Sequence, residues 1–101
     1  MVNSKLRNEQ ADQLCEAMLC LKDVKECYRF LEDVCTVGEL KAMRQRFEVA
    51  RMLYEGNTYE AIVARTGAST ATISRVKRCL EYGADGYKLV FKRLAKQKKE
   101  K

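Results

Sequence analysis

The stretch RTGASTATISRVKR at residues 65–78 brings together small hydroxyl side chains and four basic ones, with no acid among them. Thr70, Ala71 and Ser74 are short enough to let a helix approach the edges of base pairs in a major groove. A long or acidic side chain in their place would hold the helix off. Arg65, Arg75, Lys77 and Arg78 can neutralise phosphates, which gives affinity without sequence information. With Ser69 at the helix start, these eight positions form a candidate DNA-binding set. A helix pair with a purely structural role would not account for the missing acids.

Such a set works only if a helix-turn-helix positions it. The pattern predicts one over residues 58–82: a short helix at about 58–66, a turn at Gly67-Ala68, Ser69 as N-cap, and a second helix to about Tyr82. Asn57 with Glu60 is the expected cap of the short helix. Ile62 and Val63 are expected on its inner face, and Ile73, Val76 and Leu80 on that of the second helix, turning Thr70, Ala71 and Ser74 outward.

The rest of the chain is also helical in pattern, and the expected fold class is all-α, with six helices in a single domain of residues 1–101. Leu6, Leu14, Met18 and Leu21 mark the first helix. DVKE at 23–26 and TVGE at 36–39 read as capping boxes for the next two. Val24, Cys27, Tyr28, Leu31, Val34 and Cys35 make the stripe of one; Leu40, Met43, Phe47, Ala50 and Leu53/Tyr54 make that of the other. Gly56 is the expected left-handed cap closing the long helix. Gly83-Ala84-Asp85 breaks the chain before a last helix with Tyr87, Val90, Phe91 and Leu94, and the basic tail at 95–101 is expected to fray. Met18, Leu19, Leu21, Phe30, Leu31 and Phe91 look like more apolar surface than so short a chain can cover, which points to a two-fold homodimer.

Charge is divided unevenly. Residues 1–64 carry a net charge of −2 and residues 65–101 a net charge of +8, so the C-terminal third is the part suited to a polyanion. The five cysteines (Cys15, Cys20, Cys27, Cys35, Cys79) form no C-x-x-C pair and there is no histidine. They are expected to be small buried hydrophobes, and no metal or cofactor is expected. With no apolar run of membrane-spanning length and no secretory h-region, the chain is expected to stay in the cytoplasm, away from membranes. An enzyme is disfavoured: no carboxylate pair sits in an apolar pattern and no phosphate-binding glycine loop occurs. The other reading of the basic helix pair is a protein-interaction module that docks an acidic surface of the transcription machinery.

GASTATISRV at 67–76 resembles the recognition segment of the Trp repressor superfamily. The helix beginning at Thr36, with Arg46 inside it, resembles the same superfamily, and the likeness covers about residues 10–95. It is nearest in pattern to the Trp-repressor-like YerC/YecD group of Gram-positive bacteria. The resemblance implies an intertwined homodimer that binds an operator, an inverted repeat in double-stranded DNA, as a transcriptional repressor. It implies operator contacts at Thr70, Ala71 and Ser74, whereas a base-contacting arginine of the family's first helix falls on Glu60. It also implies an effector pocket in which Arg46 and Arg75 match the arginines that sandwich tryptophan. There Val76 replaces a glycine and Cys79 a serine, so a different, unknown small-molecule effector, or none, is expected in place of tryptophan.

Overall fold

The computed structural model describes residues 6–100, and among these every regular element is helical: α1 (Glu9–Met18), α2 (Val24–Val34), α3 (Val37–Tyr54), α4 (Tyr59–Thr66), α5 (Thr70–Tyr82) and α6 (Gly86–Glu100). Packing divides the chain into two units, residues 2–41 and 42–101, with the boundary inside α3.

In residues 2–41 helix starts are fixed by side chains that satisfy exposed backbone donors. Asn8 accepts from the Ala11 N–H at 2.7 Å and Asp23 from that of Glu26 at 2.8 Å. Glu26 reaches back past the cap to accept from the Lys22 N–H at 2.8 Å. Thr36 and Glu39 close the reciprocal bonds of a capping box, at 2.8 and 3.1 Å. The Thr36 hydrogen bonds hold the Glu39 carboxyl below the ordinary carboxylate range. Neither α1 nor α2 contains a buried residue. Leu19 is 85% exposed and Val24 72%. α1 ends at Met18, so Leu21 lies beyond it in the turn to α2.

Residues 42–101 hold a true core: Val49, Ala50 and Met52 of α3, Ile62 of α4, Ala68 of the turn, Ile73, Val76 and Leu80 of α5, and Phe91 of α6. Burying each of the larger side chains, all but Ala50 and Ala68, contributes about 1.5–3 kcal/mol. Phe91 packs against Phe47, Tyr54 and Tyr87 at centroid distances of 5.1–6.1 Å and is buried within this chain, contrary to its expected place in the surplus. Val49 and Met52 are buried although the expected α3 stripe passes through Met43, Phe47 and Tyr54, which remain partly exposed.

Three other expectations need correction. Asn57 does not cap α4: its amide donates backward to the Met52 carbonyl at 3.0 Å, sealing the end of α3 with Gly56 (φ 88°). Thr58 is the cap, accepting from the Ala61 N–H at 3.2 Å. The basic tail does not fray after residue 95, because α6 runs on to Glu100, with Lys98 and Lys99 in its last turn where the helix dipole favours cations; Lys101 lies outside the described residues. The cysteines are not buried: Cys15, Cys20 and Cys79 are exposed and Cys27 and Cys35 half-buried, all with free thiols; α1 and α2 contain no buried residue, and Cys79 lies on an exposed face of α5.

Candidate nucleic-acid interface

Ser69 and Gly67 set the angle between α4 and α5. α4 ends on Gly67 in the left-handed region (φ 71°), where an L side chain is strained, and the Gly67 N–H donates to the Val63 carbonyl at 2.9 Å. Ser69 then caps α5, accepting from the Thr72 N–H at 3.1 Å. Thr66 stitches the turn: its hydroxyl donates to the Ile62 carbonyl at 2.7 Å and accepts from the Ala68 N–H at 3.1 Å. Gln45 of α3 donates to the Thr66 carbonyl at 3.2 Å and ties the turn to the long helix. Ile62 and Ile73, both fully buried, lock the two helices at the centre.

Burial of Ile73, Val76 and Leu80 turns one side of α5 inward, as the spacing predicts. Thr70, Ala71, Ser74, Arg75 and Arg78 are all exposed, as are Ser69 and Arg65. Val63 is not on the inner face of α4: it is 39% exposed, since one residue of helix turns the side chain about 100° away from Ile62. At the far end of α5, Gly83 lies against the carbonyl of Cys79, which a Cβ at that position would strike.

The basic residues differ in how they are engaged. Lys77 sits over the Tyr59 ring at 5.9 Å and 3.9 Å from the Glu81 carboxylate. Arg65 is 3.6 Å from Glu48, which is itself held by Arg51 through two bonds of 2.7 Å. The hydrogen bonds from Arg51, and then the charges of Arg51 and Arg65, keep the Glu48 carboxyl below the ordinary range against the opposing effect of burial. Among the described residues, Arg75 and Arg78 form no ion pair. Nothing in the local sequence pattern announces Tyr59, Glu48 or Gln45, because each acts across a gap in the chain.

The four residues expected to line an effector pocket differ in their surroundings. Cys79 lines a groove of about 520 Å3 with Phe47, Gly83, Ala84, Gly86, Tyr87 and Val90. Val76 is in the core, Arg46 and Arg75 are exposed, and none of the three lines that groove. Burial pushes the Tyr87 hydroxyl above its ordinary pKa, Cys79 adds to this, and the Arg46 charge opposes it.

These features define an all-helical protein, among the described residues, built around a helix-turn-helix whose second helix presents an outward surface with no acid before Glu81. The sequence profile of the Trp repressor protein family matches residues 9–95, and the chain belongs to that family. It is 56% identical over 96 residues to the uncharacterized protein YerC of Bacillus subtilis strain 168, covering 95% of this chain and 92% of YerC. The crystal structure of a TrpR-like protein from Eubacterium eligens superposes with a TM-score of 0.88 at 57% identity, covering 92% of this chain and 96% of the other. A candidate Trp repressor from Staphylococcus aureus gives a TM-score of 0.88 at 46% identity, covering 94% and 95%. No helix among the described residues is long and apolar enough to cross a membrane.

Proposed function

We propose that the chain is a sequence-specific DNA-binding regulator of transcription, a repressor that acts as a homodimer through α4 and α5. The observation that carries this reading is the outward surface of α5 from Thr70 to Arg78, where Thr70, Ala71 and Ser74 lie exposed with Arg75 and Arg78 and no acid precedes Glu81, on a helix docked through Ile62 and Ile73. Short side chains at the start of the helix read base edges, and the arginines hold phosphates. The exposed apolar residues of α1 and α2 support the homodimer. A groove of about 350 Å3 lined by Leu21, Val24, Cys27, Tyr28 and Leu31, among others, gives a second copy something to fill. A two-fold dimer reads an inverted repeat with half-sites about 34 Å apart.

Tryptophan is not the effector in this reading. Valine in place of the family's pocket glycine overfills the space by an amount that costs about 1–3 kcal/mol. Calorimetric titration with L-tryptophan is expected to show no micromolar binding.

The deciding experiment measures binding of the full-length protein to a panel of genomic duplexes at several salt concentrations. Thr70→Ala is expected to reorder the preferred sites. Arg78→Ala is expected to weaken all of them alike and lower the salt slope by about one. Binding that shows no sequence preference in the wild type would overturn the reading and favour docking on an acidic protein surface.

A further inference from the structure

The lysines of α6 play no part in the helix-turn-helix, yet they hold much of the positive charge of the chain. Lys88, Lys92, Lys96 and Lys99 recur every three or four residues and therefore share one face of the helix, about 5–6 Å from one another. Arg93 and Lys98 flank them, and no acidic residue occurs from Gly86 to Lys99. Among the described residues the row has one ion pair, Lys88 with Asp85 at 3.9 Å, at its very start.

A face that need only be solvated is built differently in this same protein. Along α3 and just past its end, Glu48, Arg51 and Glu55 alternate in sign and pair at 2.7–2.9 Å. Like charges four residues apart repel, so a row of four lysines with no alternating glutamate is a local destabilisation. The helix dipole accounts for Lys98 and Lys99 in the last turn but not for Lys88, Lys92 or Lys96, since its influence ends within one turn. The other side of α6 is occupied: Tyr87 and Phe91 stack on each other, and both pack at a tilt against Phe47. A helix anchored in this way cannot lay its apolar side into a bilayer.

We propose that the Lys88–Lys92–Lys96–Lys99 row of α6 is a second DNA-binding surface, one that grips the phosphate backbone of a duplex without reading its sequence. The inference rests on the proposed helix-turn-helix function and deepens it, by giving the protein a contact separate from base recognition. Duplex DNA presents one negative charge per about 1.7 Å of axis, both strands counted, so a row of lysines laid along it has phosphates within reach. Each contact releases condensed counterions, and its signature is a steeper fall of affinity with salt.

The test uses the full-length protein and the variant Lys92→Ala/Lys96→Ala/Lys99→Ala, whose three sites are exposed and helical, with Lys→Arg at the same positions as the charge-preserving control. Binding is measured on a preferred duplex and on a duplex of scrambled sequence between about 50 and 200 mM salt. The alanine variant is expected to lower the salt slope by roughly two to three on both duplexes. It should weaken both at least about ten-fold at low salt, keep the ratio between them, and be rescued by arginine. An unchanged slope with the ratio intact overturns the α6 surface and leaves the helix-turn-helix reading standing. A wild type that binds both duplexes equally but loses slope in the variant overturns sequence reading by α5 and leaves the α6 surface standing. If anionic phosphatidylserine vesicles lose the variant while the DNA slope does not change, the partner is a lipid surface and the proposal fails.

Discussion

Residues 42–101 bury nine side chains around Ile62, Val49 and Ile73, whereas the helices of residues 2–41 are held at their starts by caps and bury none in α1 or α2. The two units are specified by different physics. In the first, tertiary packing decides which face of each helix turns inward. In the second, hydrogen bonds between neighbours in sequence decide where each helix begins, and α1 and α2 bury no apolar residue. A helix of ten or eleven residues is marginal alone. The difference therefore teaches where stability resides in one protomer and where it is expected to depend on a second.

That contrast can be broken most forcefully at Ile73. Ile73→Ala removes a fully buried side chain from the meeting point of α4 and α5, and a loss of about 2–5 kcal/mol is expected in chemical denaturation followed by circular dichroism. Leu19→Ser, at an exposed position of the other unit, is expected to leave the melt of dilute protein nearly unchanged. It should instead weaken self-association in sedimentation about ten-fold or more, given about 2 kcal/mol for an interfacial leucine. An equal effect of both changes on the dilute melt would erase the distinction between the units.

Caps sharpen it further. Asp23→Ala and Ser69→Ala each remove a side chain that accepts a bond at a helix start, worth about 1 kcal/mol. The first is expected to appear in hydrogen exchange as lost protection confined to α2, the second as a lowered midpoint for the whole 42–101 unit. The smallest effect concerns Glu48, whose carboxyl is held below its ordinary range by Arg51. A depressed pKa contributes stability that is present above the unfolded glutamate value of about 4.3 and is lost as pH falls through the lower folded value. Glu48→Gln is thus expected to lower stability slightly at pH 7, by no more than about 1 kcal/mol for a pair so near the surface. The difference between the two proteins should shrink as pH falls through that lowered folded value.

What the sequence made legible follows the same division between local and distant causes. Gly67, Ser69 and the Thr36–Glu39 box announce themselves because each acts on atoms within four residues. The inward face of α5 was equally plain, since Ile73, Val76 and Leu80 stand at helical spacing with only polar neighbours. Asn57 and Thr58 were harder to separate: both are capping types, and which one turns forward is settled by the Met52 carbonyl waiting behind Asn57. Ile62 and Val63 are adjacent and alike, and only docking distinguishes them. The burial of Val49 and Met52, the Gln45 tether and the Arg65–Glu48 pair depend on helices meeting across the fold, which no periodicity within one segment encodes. The exposed cysteines were missed because residue type predicts burial only where there is something to bury against.

Gly67 and Gly83, alike in composition, give the protein two different degrees of mutational freedom. At Gly67 nothing lies within 4 Å of a would-be Cβ, so the only obstacle is the left-handed backbone, which asparagine and aspartate tolerate better than most residues. At Gly83 the obstacle is a backbone carbonyl, and no choice of rotamer can move it. A library saturating both codons should therefore return a short graded series at the first position, led by glycine and asparagine, and glycine alone at the second.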